Sequence, residues 1–400
     1  MIKKELRMKA TLLHAVAAAA FLVVSAPDAH ADVITDWNLK TGQILGEAKL
    51  GTPPAVRVIA LVQTAASEAV QRRTGSAEAA VAAAHRATLL ALVPSQKDAI
   101  EQAYQAALAP VAEGPAKAAG IAAGEKAAAA VLAARADDSV AGPDTYRPHA
   151  AAGAYVPTAA VAATPWPRRK PWLMASAAQL RPAAPPALSS DTWTRDYNEI
   201  KALGGRAGSQ RNAEQTEVAK FWDYSLPPIY FGVVRSVAQA AGRDVERNAR
   251  LYAAVAQAMD DALISVFEAK YTYNFWRPVT AIRNGDQDGN DQTTRDAAWT
   301  PLVDNPMHPE YPSGHSILAS AVGAVIKADL GKGPVPVMST TSPTAPGVTR
   351  RWTQVDDFVR EVSDARVWGG LHFRFTTDVS NVMGRQIGEM AASKVLAPQH

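Results

Sequence analysis

The chain contains no cysteine in 400 residues. That excludes disulfides, thiolate catalysis and Cys-ligated zinc or iron–sulfur centres, so stability must come from the apolar core. Charge of either sign is also sparse in excess. The formal net charge is +3, and Lys3, Lys4, Arg7 and Lys9 carry part of it at the extreme N-terminus. The rest is close to neutral and offers no clustered basic face for nucleic acid. Long apolar runs are missing after the first residues, because Lys, Arg, Asp or Glu interrupts each one. No membrane span is expected in the mature chain. There is no phosphate-cradling Gly-rich loop, no Gly-x-Ser-x-Gly elbow and no His-Glu-x-x-His zinc helix.

What is present begins with a secretory signature over residues 1–31. Basic residues end at Lys9, an apolar run of about 15 residues covers Ala10 to Val24, and Ala29-His30-Ala31 offers a small-x-small cleavage site. The run is shorter than the roughly 20 residues a span requires. An exported protein, periplasmic or secreted, is expected.

Residues 32–137 are dominated by alanine, with Val58, Leu61, Val62, Ala65 and Ala69 at three- and four-residue spacing. Alanine has the best helix propensity, so an N-terminal helical region is predicted, with Asp36 and Ser95 as N-caps. Residues 138–212 change character. Nine prolines between Pro143 and Pro186, with Trp166 and Trp172 among them, predict an irregular connection whose aromatics pack on something. Residues 213–400 return to helix, with Asp244 to Lys270 the longest and Leu251, Val255, Met259, Leu263 and Val266 on one stripe. Arg283 to Tyr311 and Gly331 to Val348 are read as loops. Strand signals are nearly absent, and the fold class is all-α.

Three clusters carry chemistry. Lys270 and Arg277 are seven residues apart, which on a helix places them within about 20° and roughly 10.5 Å along the axis. Pro278 ends such a run at Arg277. Pro312-Ser313-Gly314-His315 opens an apolar helix, where Ser313 can cap, free N–H groups can hold an anion, and His315 can move a proton. Arg366 and His372 are not on one helical face, but Gly369 and Gly370 allow the chain to turn back between them. Each cluster alone also has an ordinary reading: a solvated basic face, a plain helix cap, a histidine buried near a helix end.

Together, in order and spacing, the clusters resemble the signature of the vanadium haloperoxidase and type 2 phosphatidic acid phosphatase superfamily. The segments around Trp299, His308 to His315 and Gly370 to Phe375 resemble its bacterial haloperoxidase-like branch. The resemblance implies a helical-bundle core with an additional N-terminal helical region. It implies that Lys270, Arg277, Ser313, Gly314 and Arg366 bind the oxygens of vanadate, that His372 bonds vanadium, and that His315 is the acid–base partner. Phosphate can occupy the same site. Peroxide, halide and an unknown organic molecule would be the substrates. An acid phosphatase with His372 as nucleophile and a non-catalytic oxyanion-binding envelope protein stay open as alternatives.

Two positions qualify the resemblance. The family often has Asp four residues after the metal-bound His, where this chain has Thr376; Asp378 or a backbone carbonyl is the expected substitute. Seven residues before the acid–base His, bromoperoxidases resemble one another in having His and chloroperoxidases in having Phe. This chain has His308, which favours bromide or iodide. The stretch Asp286 to Asp291 resembles a calcium loop, but its Gly is misplaced and no bidentate Glu follows, so a solvated acidic turn is expected.

Overall fold

A computed structural model describes residues 32–138 and 143–397; the expected signal segment, 1–31, lies outside the described residues. Five helices form the N-terminal part: α1 (Val33–Glu47), α2 (Thr52–Gln71), α3 (Ala77–Leu92), α4 (Lys97–Leu108) and α5 (Pro115–Ala134). An irregular strap with one 3₁₀ turn at Trp166–Arg168 leads to α6 (Asp191–Leu203), α7 (Ala213–Phe221), α8 (Pro228–Ala238) and α9 (Val245–Tyr273). Then follow α10 (Pro278–Arg283), α11 (Gly314–Leu330), a hairpin of β1 (Met338–Ser342) and β2 (Ala345–Trp352), α12 (Val355–Trp368) and α13 (Arg374–Ala391). The fold is all-α apart from that hairpin. Among the described residues no helix is long and apolar enough to cross a membrane.

Several local expectations need correction. Asp32, not Asp36, caps α1, accepting from Thr35 N, while Asp36 sits in the first turn near the positive helix end. Ser95 lies in a 3₁₀ turn ahead of α4 and caps nothing. The helix α6 falls inside the stretch read as irregular, because prolines stop at Pro186 and Ser190 supplies a cap for Trp193 N. The Gly331–Val348 loop contains β1, whose Met338, Thr340 and Ser342 are buried in alternation, as a half-covered strand requires.

Two packing features place the site. Helix α13 lies directly on α11: a side chain at Gly384 or Gly388 would meet the backbone oxygen of Ile317 or Ala321 at 2.3 and 2.5 Å. That closeness brings Ser380 Oγ onto Ser313 N at 2.7 Å, at the start of α11. Behind the α12–α13 turn an aromatic cluster of Trp193, Phe275, Trp276, Phe373 and Phe375 is buried, with Trp193 and Trp276 stacked at 5.8 Å. Such pairs add about 0.5–1.5 kcal/mol each beyond their buried area.

The strap is fastened to α9 by buried charge. Asp261 accepts from Trp172 N at 2.7 Å, Leu173 N at 2.8 Å and Met174 N at 3.0 Å. Asp260 accepts from Trp172 Nε1 at 2.7 Å and from Arg57 of α2 at 2.5 Å. Arg57 also pairs with Asp138. The aromatics of the strap thus do pack, against a carboxylate pair that the apolar stripe of α9 had concealed.

Burial pushes the Asp261 carboxyl up to about 6, against three amide donors that pull it down. Asp261→Ala will strand two buried amides and cost about 1–3 kcal/mol. A group raised from 3.8 to about 6 on folding gives stability that is full below 3.8 and lost as pH rises through about 6. The alanine variant lacks that contribution, so its deficit in urea unfolding should be larger at pH 4.5 than at pH 7.

Candidate active site

Helix α9 carries Lys270 but ends at Tyr273, where Asn274 takes the left-handed conformation with φ 47°. Arg277 is therefore not on the same helix; it is the N-cap of α10 with φ −78° and ψ 155°. The helical-wheel argument for this pair fails, yet the two side chains still reach one region, because both bond the loop before α11. Lys270 Nζ donates to the carbonyls of Pro309 at 2.8 Å, Glu310 at 2.7 Å and Pro312. Three carbonyl acceptors need three N–H groups, which is the ammonium form. Burial first, and then the charge of Arg277, lowers the lysine well below its ordinary value.

Arg277 is 1% exposed. Its Nε and Nη2 donate to His308 O at 3.1 and 3.0 Å, and Nη1 donates to Leu371 O at 3.1 Å. Nη2 also reaches His308 Nδ1 at 3.0 Å, and Nη1 faces His372 Nε2 at 3.4 Å. A guanidinium only donates, so His372 Nε2 carries a lone pair; His308 Nδ1 stands between the Arg277 donor and the Pro309 carbonyl, the latter at 3.1 Å.

The α11 entry follows the expected form. Ser313 is the N-cap and its Oγ accepts from Ser316 N at 3.4 Å. A side chain at Gly314 would meet no protein atom within 4 Å, and Gly314 lines the cavity described below. His315 bonds the Tyr224 backbone carbonyl, while its Nε2 is buried without a partner. Burial, with Arg366 next, lowers His315 well below its ordinary value, so the ring is neutral.

The third cluster closes through Gly369 and Gly370. Helix α12 stops at Trp368, Gly370 adopts φ +79°, and the amides of Leu371 and His372 both bond Arg366 O, at 3.0 and 3.3 Å. This positive φ is one that only glycine adopts at no steric cost. His372 is thereby turned back beside Arg366, as the sequence suggested. Arg366 is 2% exposed and donates Nη1 to Trp222 O at 2.5 Å. Its Nε is buried with no partner.

Glu310 is the residue that the sequence reading overlooked. Its Oε1 meets His372 Nδ1 at 2.9 Å and accepts from Phe373 N at 3.1 Å, and its Oε2 accepts from Thr376 Oγ1 at 2.9 Å. The carboxylate expected from position 376 thus comes from the loop before α11, and Thr376 holds it. Asp378, the expected substitute, is instead exposed, with Arg374, Arg195, Asp196 and Glu199 as its charged neighbours. The tautomer of His372 follows: Nδ1–H donates to Glu310, and Nε2 keeps its lone pair. Burial, then Arg277, Lys270 and Arg366, hold His372 well below its ordinary value. Burial raises Glu310 to about 7, opposed by Arg277 and Lys270. Glu310→Gln keeps the shape but weakens the acceptor, and an orienting carboxylate is worth roughly 10–100-fold in metal affinity or activity. A vanadate titration of the variant should show a loss of that size.

Lys270, His308, Gly314, His315, Arg366 and His372 line one cavity of about 490 Å³. Its far walls come from Gly51–Pro54 at the start of α2 and from Ala162, Ala163, Pro165 and Trp166 of the strap. His308 lies there with its ring edge-on to Phe267 at 5.2 Å. Arg277 and Ser313 sit behind this lining. Three buried cations, Lys270, Arg277 and Arg366, stand against the one buried carboxylate Glu310. Buried charge without an equal counter-charge is costly, so the arrangement suits a multiply charged anion. The open Arg366 Nε donor and the lone pair of His372 Nε2 fit a tetrahedral oxyanion with a metal centre, and vanadate is such a group. The loop Asp286–Asp291 is not such a site: Asp288 accepts from Trp193 Nε1 at 2.9 Å and Thr293 Oγ1 at 2.6 Å. Among the described residues no group of three His, Asp or Glu could hold a metal ion.

Residues 250–399 match the VCPO second helical-bundle domain. A stretch of 175 residues is 30% identical to a vanadium chloroperoxidase from Curvularia inaequalis, covering 36% of this chain. Residues 250–399 thus carry a helical-bundle domain of the vanadium chloroperoxidase kind. The match spans 29% of the length of the Curvularia protein. Solved structures extend the likeness of fold. A bacterial vanadium-dependent iodoperoxidase matches with TM-score 0.76 at 22% identity, over 90% of this chain and 96% of that one. A bacterial vanadium-dependent chloroperoxidase in its apo form matches with TM-score 0.70 at 19% identity, over 86% and 94%. The holo form of a bacterial vanadium-dependent chloroperoxidase matches with TM-score 0.67 at 19% identity. The chain is thus haloperoxidase-like over residues 250–399 and similar in fold to these enzymes well beyond them.

Proposed function

We propose that the protein is a vanadium-dependent haloperoxidase that uses peroxide to oxidise halide, with bromide or iodide favoured over chloride. The observation that carries this is the carboxylate-backed imidazole: Glu310 on His372 Nδ1 leaves Nε2 as a basic ligand atom facing a cationic cavity. A carboxylate behind a ligand His raises its basicity and fixes its orientation. His372 Nε2 would hold vanadium, and Arg366 Nε, with Arg277 and Lys270 supplying charge, would hold the oxygens. Ser313 and the free amides at the start of α11 would add donors at the positive end of a 17-residue helix. Vanadate, when bound, supplies a Lewis acid that polarises peroxide for attack by halide without a change of its own oxidation state.

The rest falls to the chain. His315 Nε2 is neutral and unpartnered, so it can take the proton of an incoming peroxide and return it to a leaving oxygen. Lys270 and Arg277 hold the 308–312 loop, which fixes His308 and Glu310 before any substrate enters. His308 lies against Arg277 and lines the cavity, a polar edge that supports the larger, softer halides over chloride.

The test is a paired assay on purified protein. One arm contains orthovanadate, peroxide and bromide with a bromination reporter; the other contains a phosphomonoester and no vanadate. Bromination in the first arm is expected. Phosphate release in the second with silence in the first would assign the cage to phosphoryl transfer. Silence in both would leave a binding protein.

A further inference from the structure

A second and larger cleft, of about 840 Å³, opens beyond the Pro306–Met307 segment, and these two residues line both spaces. The volume is that of a site for a small organic ligand. Its charged lining is three arginines, Arg206, Arg277 and Arg283, against one carboxylate, Asp304. Asp304 already pairs with Arg206 at 3.0 Å. Arg277 contributes charge, but its nitrogens are directed at carbonyls and imidazoles. Arg283 differs. Its Nε is fixed on Trp299 O at 2.8 Å, and its two Nη groups meet no protein acceptor among the described residues.

Two buried polar atoms on the lining residues also lack partners. Trp276 is 2% exposed, and its Nε1 has no partner; Asn305 Oδ1 has none either. Both atoms are closed off from the cleft itself, so the groups that a ligand there would meet are the free Nη donors of Arg283. The remaining walls include Val279, Pro301 and the thioether of Met307, which suits an aromatic ring.

We infer that this cleft binds an aromatic carboxylate, with the carboxylate on the Arg283 fork and the ring along Val279 and Met307. A guanidinium fork matches a carboxylate in a bidentate pair. The role given to the ligand rests on the haloperoxidase reading: it is the acceptor of the oxidised halogen. Bromide, peroxide and a proton give hypobromous acid and water in the neighbouring cavity. A ring carbon then takes bromine from hypobromous acid, its C–H proton leaves, and water is the second product.

Binding is measured first without vanadate or peroxide, by titrating 4-hydroxybenzoate into the full chain with calorimetry and tryptophan fluorescence. Saturable binding is expected, at least tenfold weaker in Arg283→Ala. Thr280→Trp, which fills the cleft and removes no charge, should weaken it as much, and the neutral 4-hydroxybenzyl alcohol should bind at least tenfold more weakly to the parent. Absence of saturation, or equal affinity in the parent and both variants with intact thermal melts, overturns the assignment even if a neutral phenol is brominated. The second arm adds vanadate, peroxide and bromide. Binding as expected with no bromination of any acceptor overturns the haloperoxidase reading and leaves the carboxylate site standing.

Discussion

Alanine in place of His372 will reduce vanadate-dependent bromination to the level seen without protein, and vanadate will no longer raise the melting temperature. Three imidazoles line the cavity, His308, His315 and His372. Of these, His372 is the one whose Nδ1 is bonded to a carboxylate, so its Nε2 is the most basic ligand atom available. A ligand present at a hundred times its dissociation constant stabilises a fold by about 2.7 kcal/mol, and the variant forfeits that gain. The substitution itself is mild for the fold. Glu310 keeps Phe373 N and Thr376 Oγ1 as donors, so roughly 1–3 kcal/mol for one lost partner is the expected cost. Parallel bromination assays and melts with and without orthovanadate check both parts. A variant that still brominates at the parental rate would remove His372 from the ligand role.

Arg366→Ala is expected to lower kcat by about 10²–10³, the usual size of losing one charged donor aimed at developing negative charge in a water-poor site. Two features argue for so large an effect. The Nε donor of Arg366 is buried and unsatisfied on a residue that lines the cavity, so it gives up no protein partner to meet an anion. Arg277 and Lys270, by contrast, are engaged with carbonyls and contribute mainly charge. Arg366→Lys should recover little, because an ammonium cannot bond Trp222 O and the cavity at once with the fixed fork of a guanidinium. The checks are kcat for bromide oxidation and the vanadate dissociation constant, with Trp222 fluorescence reporting any local collapse. A loss under threefold would mean that the open donor is not used.

The site was legible in the sequence where its chemistry is local. Ser313, Gly314 and His315 form a helix start whose properties follow from adjacent residues, and Gly369-Gly370 carries its turn in its own composition. The core's helices were legible too, since alanine-rich and periodic segments have few alternatives. What failed was whatever depends on where a helix stops. Lys270 and Arg277 converge through carbonyls of a loop about 40 residues away in the chain, not through a shared helical face. Glu310 reaches His372 across 62 residues of sequence. Reading position 376 alone showed a missing acid. An unassigned Glu within the segment that leads into Ser313 was the available signal, and only a fold could say which imidazole it touches. The hairpin β1–β2 was hidden for a different reason: its Ser and Thr residues are common in loops, and the alternation of burial appears only once α8 packs on it.

The cavity is assembled from two sources. The groups that meet an anion come from the segments around α9, α11 and the α12–α13 turn, whereas the opposite wall is the start of α2 and the strap around Trp166. The strap is tethered to α9 through backbone amides, so most of its side chains are free of that duty. The shape of one side of the cavity is therefore separable from the charge of the other. Residues such as Ala162, Ala163 and Pro165 could be exchanged to admit a different halide or acceptor, with the anion's own ligands left as they are.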